Sequence, residues 1–340
     1  MGVFACDRPH QRRARALMPR HAMTRHPSGA PSMKTRITAR AAASLLALAM
    51  CLTAATRAAE PTRDAGSVPP SQPYVIAQTY RLQSQVLNEA RELNIMLPEG
   101  YAEHPEQRYP VIYLLDGGQQ EDFTHMAGAV QFASFPWVER LPPAILVGIA
   151  NTDRKRDMTF KPASGYALPK WLQAYSEAYK SAGGSEQFIR CLETEVQPFV
   201  AQNFRAGPDR ILIGQSLAGL LATEVLLKKP ALFNHYVIMS PSLWWDQGAL
   251  LKQAPQWLKL QGQGQGSGSG GVRKVYLAVG KEGPEMERDT RALAALIRQQ
   301  RRAQQELVFE YLPRENHGSI LHPAALSAFE HFFAAQKKGR

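Results

Sequence analysis

A series of short apolar runs, each ended by a glycine, a proline or a polar turn residue, limits the fold of this chain. These runs cover residues 111–118, 144–151, 210–216, 235–242, 274–282 and 306–313. Most are followed by stretches of helical period, as at 186–203, 217–228, 285–301 and 323–336. Continuous apolar strands that alternate with helices predict a mostly parallel sheet with helices on both faces.

The segments before this series predict how the sheet begins. Residues 74–83 and 92–98 are β-rich and have no helical stretch between them, which predicts an antiparallel start. We therefore expect one α/β domain over residues 74–340. Residues 261–271 (QGQGQGSGSGG) form a low-complexity run, which we interpret as a flexible surface loop without a function of its own.

The first 58 residues have the pattern of an export leader. A positive segment begins at Met33, the expected true start, and residues 41–55 form an apolar run followed by small residues suited to cleavage. This run is shorter than the roughly 20 residues of a membrane span. We therefore expect a periplasmic or secreted protein without stable membrane insertion, whose residues 59–73 are a flexible linker.

The formal net charge of +11 belongs to this leader and not to the body. Residues 1–58 contain ten Lys or Arg and one acid, which leaves 30 basic and 28 acidic residues in the remainder. A body that carries a charge of only +2 gives no sign of a groove for a polyanion. We expect no nucleic-acid partner.

Cysteine usage leaves one thiol in the body. Cys6 and Cys51 lie in the leader, and Met50 is too large for the residue before a lipidated cysteine. Cys191 lies on an apolar helical face and is expected to be a buried thiol. The body therefore predicts no disulfide, and its histidines show no spacing typical of a metal site.

Ser216 stands between a buried strand and a helix, in the sequence GQSLAG (residues 214–219). A nucleophile elbow needs this order of strand, tight turn and helix, with small residues where the two backbones approach. The helix N-terminus also favours developing negative charge. We predict Ser216 as a nucleophile. The alternative is an ordinary turn whose serine caps the helix.

A serine hydroxyl becomes a good nucleophile only when a base takes its proton. His317 follows the last strand-like run, in the polar sequence ENHGS, and is the predicted base, with His322 as the alternative. Glu282 ends the preceding strand and is the predicted acid. Glu285, or a Ser–His dyad without an acid, remains open.

An oxyanion hole needs two main-chain N–H groups near the nucleophile. Leu217 supplies the first because it follows Ser216. The second is predicted at Gly118, in the loop after the strand VIYLLDGG, where a glycine allows the backbone to approach substrate. The alternative for Gly118 is a plain turn.

The segments YPVIYLLDGG, GQSLAGLLATEVLL, SPSLWW, VGKE and ENHGS, in this order, resemble the putative esterase (esterase D-like) family of α/β-hydrolases. They are most similar to its enterobactin-type siderophore esterase branch. The resemblance implies the α/β-hydrolase fold and ester hydrolysis through Ser216 and His317, without metal or organic cofactor. It also implies a small-molecule ester substrate, such as a ferric or iron-free catecholate siderophore. Gln215 and Ala218 depart from the family's usual His and Gly, which could alter rate or pocket shape.

Three further side chains are candidates for substrate binding. Arg156 could bind an anionic or catechol group, or could pair with Asp157 to hold its loop. Trp244 and Trp245 follow a strand end, where their rings could form a wall for an aromatic acyl group or join the core.

Other functions on the same fold also remain open. These are a general short-chain carboxylesterase, an acyltransferase and a binding protein that has lost turnover. The sequence contains no feature for an acyl acceptor, and a serine, a histidine and an acid in this order argue against a silent protein.

Overall fold

The computed structural model describes residues 71–263, 273–299 and 305–333. The predicted leader (1–58), most of the predicted linker (59–73) and most of the low-complexity run lie outside these residues. Within the described ranges, no helix is long and apolar enough to cross a membrane.

The strands of the described residues form one sheet. Their bounds are β1 Gln78–Ser84, β2 Glu89–Met96, β3 Tyr109–Leu115, β4 Ile145–Ile149, β5 Ala206–Gln215, β6 His235–Met239, β7 Arg273–Gly280 and β8 Gln305–Leu312. The spatial order is β1-β2-β4-β3-β5-β6-β7-β8. β2 pairs antiparallel with both β1 and β4, whereas every other neighbouring pair is parallel. The predicted mostly parallel sheet with an antiparallel start is confirmed.

Helices connect the parallel strands. Their bounds are α1 Phe123–Ala133, α2 Arg154–Asp157, α3 Ser185–Cys191, α4 Gln197–Asn203, α5 Leu217–Lys228, α6 Ala249–Gln263, α7 Pro284–Gln299 and α8 Leu321–Phe333. A π-turn (Leu192–Val196) joins α3 to α4, and 3-10 turns cover Lys170–Tyr179 and Trp245–Gly248. The four predicted helical stretches are confirmed as far as the described residues extend. The sequence reading did not specify α1 or α6, and Pro255 inside α6 interrupts a simple helical pattern.

Alternate residues of β3 enter two different cores, because side chains on a strand point to opposite faces. Val111, Tyr113 and Leu115 pack with residues of α3, α4, α5, α6 and α7. Ile112 and Leu114 pack with residues of α1 and α8 on the other face. Each fully buried aliphatic side chain contributes about 1.5–3 kcal/mol to folding. The sheet is therefore covered on both faces, as the apolar runs predicted.

The parallel register places the ends of four strands side by side. Gln215 at the end of β5 pairs with Met239 at the end of β6, and Met239 pairs with Ala278 in β7. Gly280 at the end of β7 pairs with Leu312 at the end of β8. The loops that leave these strands therefore meet at one edge of the sheet, which is where open α/β sheets bind ligands.

Cys191 is a free, fully buried thiol at the end of α3, as predicted. The Ser84 hydroxyl donates a hydrogen bond to its Sγ at 3.6 Å. Burial raises the pKa of the thiol to about 12, so Cys191 stays protonated and packs as a small apolar side chain.

Candidate active site

Ser216 occupies a strained turn between β5 and α5. Its backbone dihedrals are φ 62° and ψ −121°, which a residue with a side chain rarely adopts. The main-chain N–H of Ser216 donates to the Met239 carbonyl at 3.1 Å, and its carbonyl accepts from Leu220 N at 2.9 Å. These bonds hold the turn, which is the strand–turn–helix arrangement of a nucleophile elbow.

The glycines around Ser216 are required by backbone approach. A Cβ on Gly214 would lie 2.4 Å from the Ala218 carbonyl oxygen, and a Cβ on Gly219 would lie 2.9 Å from that of Met239. The Gly219 backbone therefore lies against the end of β6. Ala218 occupies the position where the family usually has glycine. Ala218 is fully buried.

Glu282 and His317 form a direct pair. Glu282 Oε2 lies 2.5 Å from His317 Nδ1, and the carboxylate is almost fully buried while the imidazole is 30% exposed. Hydrogen bonds from His317 and Ser240, together with Gly280 N–H, outweigh burial and hold the pKa of Glu282 below its ordinary value of 4.5. An ionised carboxylate on Nδ1 fixes the imidazole tautomer and leaves Nε2 available as a base.

Backbone and side-chain contacts join the turn after β5 and the loops after β7 and β8. Lys281 N–H donates to the Glu315 carbonyl at 2.7 Å, which joins the loop after β7 to the loop after β8. The Gln215 side-chain amide donates to the carbonyl oxygen of His317. Gln215 therefore fastens the histidine loop to the residue before Ser216, a role the sequence reading did not foresee.

The alternatives for the base and the acid have other surroundings. The His322 ring contacts the His125 ring edge to face, with centroids 5.2 Å apart. Glu285 is exposed in the first turn of α7, where acidic residues are generally favoured. The structure thus pairs Glu282, and not Glu285, with His317.

The two predicted oxyanion donors differ in their surroundings. Leu217 is the first residue of α5, so its N–H has no acceptor within the helix. Gly118 N–H donates to Glu121 Oε2 at 2.7 Å, and Glu121 Oε1 accepts from the Asn151 amide at 2.8 Å. A substrate oxygen can use the Gly118 donor only when the Glu121 carboxylate releases it.

Arg156 belongs to a network of ion pairs. Its guanidinium donates to Asp157 Oδ1 at 2.7 Å and to both carboxylate oxygens of Glu89, at 2.6 and 3.0 Å. Asp157 also binds the fully buried Arg91 of β2. Because these acceptors engage its donors, the contacts favour the alternative in which Arg156 holds the loop, and its role in substrate binding stays a prediction.

The two tryptophans after β6 are both buried, and a third tryptophan covers one of them. Trp245 donates to the Phe160 carbonyl at 2.9 Å and stacks on Tyr179, which favours the alternative in which it joins the core. Trp244 contacts the Trp171 ring edge to face at 5.3 Å. Trp171 is 51% exposed, so this ring offers free aromatic surface. Trp171 was not predicted, because nothing in the sequence places residues 170–179 beside the turn that follows β6.

Within the described ranges, no group of three or more His, Cys, Asp or Glu side chains could hold a metal ion.

Residues 84–322 match the family model described as Putative esterase. The chain belongs to this family. A crystal structure of an IroE-like serine hydrolase from Shewanella oneidensis is similar, with a TM-score of 0.66 and 30% identity over 76% of this chain and 80% of that one. Its likeness over most of both chains agrees with the α/β-hydrolase fold.

Two curated relatives have names that describe them as siderophore esterases. The ferri-bacillibactin esterase BesA of Bacillus subtilis is 31% identical over 51% of this chain and 61% of its own length. The siderophore triacetylfusarinine C esterase of Aspergillus fumigatus is 33% identical over 43% of this chain and 48% of its own length. The matched segments thus span about half of this chain and half to three-fifths of these relatives.

Replacing Glu282 with Gln tests whether its carboxylate is needed for catalysis by His317. The amide cannot balance an imidazolium charge, so we expect kcat for p-nitrophenyl butyrate to fall by a factor of about 100 to 10,000, with KM little changed. Unchanged kcat would indicate a Ser–His dyad that does not use the acid.

The lowered pKa of Glu282 adds a prediction about stability. Its ionised form stabilises the fold above pH 4.5, and this contribution is lost as pH falls through the lower folded value. Urea titrations at several pH values should therefore show that the free energy of unfolding of wild type exceeds that of Glu282→Gln above pH 4.5. This difference should shrink as the pH falls below that value.

Proposed function

We propose that this chain is a serine-dependent carboxylic-ester hydrolase that acts through an acyl-enzyme. The observation that carries the proposal is the pairing of Glu282 with His317 at the sheet edge where Ser216 occupies its strained turn. The tether from Gln215 to His317 brings the base loop against the elbow. Membership in an esterase family supports the same reaction class.

The proposed reaction has two halves. Ser216 Oγ attacks the ester carbonyl while His317 Nε2 takes the hydroxyl proton. The tetrahedral oxyanion accepts from Leu217 N–H and, once the Glu121 carboxylate has released it, from Gly118 N–H. The intermediate expels the alcohol, which receives the proton from His317. Water then attacks the acyl-enzyme while His317 takes its proton. The second tetrahedral intermediate releases the carboxylic acid as His317 returns this proton to Ser216 Oγ. Each oxyanion donor lowers the barrier by about 3–4 kcal/mol.

We further infer that the substrates are siderophore esters, with catecholate siderophores the favoured class. The names of the Bacillus and Aspergillus relatives support siderophores as a class but differ in the compound. The aromatic surface of Trp244 and Trp171 favours an aryl substituent. Trp244 is two residues from Ser242, whose Oγ lies 3.4 Å from Ser216 Oγ, and Trp171 extends that surface to solvent.

Substrate and catalytic pair can be tested together. Purified wild type, Ser216→Ala and His317→Ala would be assayed with p-nitrophenyl butyrate and with a catecholate trilactone, both iron-free and ferric. We expect wild type to cleave the trilactone and each variant to lose at least about 1,000-fold in kcat. Cleavage of the simple ester alone would contradict the siderophore proposal, and no turnover of any ester would favour a binding protein.

The aryl contact can be tested with matched tryptophan variants. Trp171→Ala should lower kcat/KM about 2- to 12-fold for p-nitrophenyl phenylacetate but not for p-nitrophenyl acetate, because only the first ester presents a ring. Trp137→Ala is the control, since this ring is 77% exposed and stacks on Phe135 after α1. Equal losses for both esters, or the same loss in Trp137→Ala, would contradict an aryl subsite at Trp171.

We also propose that the protein is exported and that the leader ending at Ala58 is removed. The proposal rests on the positive segment, apolar run and small residues of the leader. N-terminal sequencing of protein recovered outside the cytoplasm should begin near Ala59. Retention of an uncleaved chain in the cytoplasm would overturn it.

A further inference from the structure

The turn Ser240-Pro241-Ser242, directly after β6, contacts both the proposed nucleophile and the proposed acid. Ser242 N–H donates to the Ser216 carbonyl at 3.0 Å, and the hydroxyls of these two serines lie 3.4 Å apart. Ser240 N–H donates to the Ala278 carbonyl at 2.8 Å, which fixes the turn against β7. The turn therefore lies between the strand that carries Ser216 and the loop that carries Glu282.

The Ser240 hydroxyl donates to Glu282 Oε1, and Gly280 N–H donates to the same oxygen at 3.0 Å. The other oxygen, Oε2, faces His317 Nδ1 at 2.5 Å. Each carboxylate oxygen thus has its own partners, and two donors on Oε1 resist rotation of the group. A buried carboxylate needs several such donors to remain ionised and oriented.

The backbone of Ser240 argues that its side chain has a use. Its φ is +43°, in the left-handed region, where glycine avoids the steric cost that other residues meet. Ser240 is also fully buried. Glycine would avoid this strain but would lack the hydroxyl that binds Glu282.

We propose that Ser240 is a positioning residue that orients Glu282 toward His317. This inference rests on the proposed function, because Glu282 and His317 acquire their catalytic meaning from Ser216. Without the hydroxyl, Gly280 N–H alone holds Oε1, and the carboxylate can turn away from Nδ1. His317 then spends less time in the tautomer and orientation that present Nε2 to Ser216.

Ser240→Gly in the full chain is the decisive variant, because glycine suits the backbone and removes only the side chain. We expect kcat for p-nitrophenyl butyrate to fall about 10-fold or more, with KM within about twofold of wild type. The thermal midpoint should change little, since relief of strain offsets the lost hydrogen bond. Unchanged kcat would overturn the proposal.

A double-mutant cycle separates positioning from a general structural role. In the Glu282→Gln background, Ser240→Gly should lower kcat by no more than about twofold, because the oriented carboxylate is already absent. An equal loss in both backgrounds would overturn the proposal. Ser185→Ala is the matched control: Ser185 is a buried serine that donates to the buried Glu224 at 2.7 Å, and its loss should leave kcat unchanged.

Proton NMR gives a readout that does not depend on turnover. The His317 Nδ1 proton of wild type should resonate far downfield because it lies in a short hydrogen bond to a carboxylate. Ser240→Gly should move it upfield or broaden it, and an unmoved resonance would overturn the proposal. If wild type hydrolyses no ester, the proposed function fails, while this resonance still decides whether Ser240 orients the pair.

Discussion

The parallel pairing of β5, β6, β7 and β8 determines where the functional groups meet. Each strand ends at the same edge, so the residues that follow Gln215, Met239, Gly280 and Leu312 become neighbours although they are distant in the sequence. A shift of one residue in any pair would turn the following loop away from its partner. The buried side chains on both faces hold this register, and the chemistry of the edge depends on it.

Three residues at the carboxyl edge of the sheet have strained backbones. Asp116, Ser216 and Ser240 follow β3, β5 and β6, and all three have positive φ. Such a conformation costs on the order of 1–3 kcal/mol per residue and persists where the surroundings determine it. At Ser216 and Ser240 the neighbouring strand carbonyls accept the main-chain N–H groups. The stability of the sheet thus offsets a geometry that exposes one hydroxyl and directs another to a carboxylate.

Much of this arrangement was predictable from the sequence, because strand runs and tight turns are local signals. The strands, the elbow at Ser216 and the order of Glu282 and His317 follow from apolar runs that end in small or polar residues. Long-range contacts were not predictable. No sequence pattern predicts the hydrogen bond from Gly118 N–H to Glu121 or the one from Ser240 to Glu282. Each depends on how the loops meet at the edge of the folded sheet.

The roles of Arg156 and Trp245 also depend on long-range contacts that the sequence does not predict. A charged or aromatic residue after a strand fits both a substrate contact and a structural contact, and only the partners decide between them. Glu89 lies 67 residues from Arg156, and Phe160 lies 85 residues from Trp245, so both partners come from distant segments.

We propose that the Glu282–His317 pair activates Ser216, and the rate of reaction with a fluorophosphonate probe would measure that activation. Mass spectrometry of the digested protein would identify the labelled peptide, and the labelling rate would be compared with that of His317→Ala. We expect one label per chain, on Ser216, and we expect it to form much more slowly in His317→Ala. A label on another residue, or an equal rate in both proteins, would contradict this proposal.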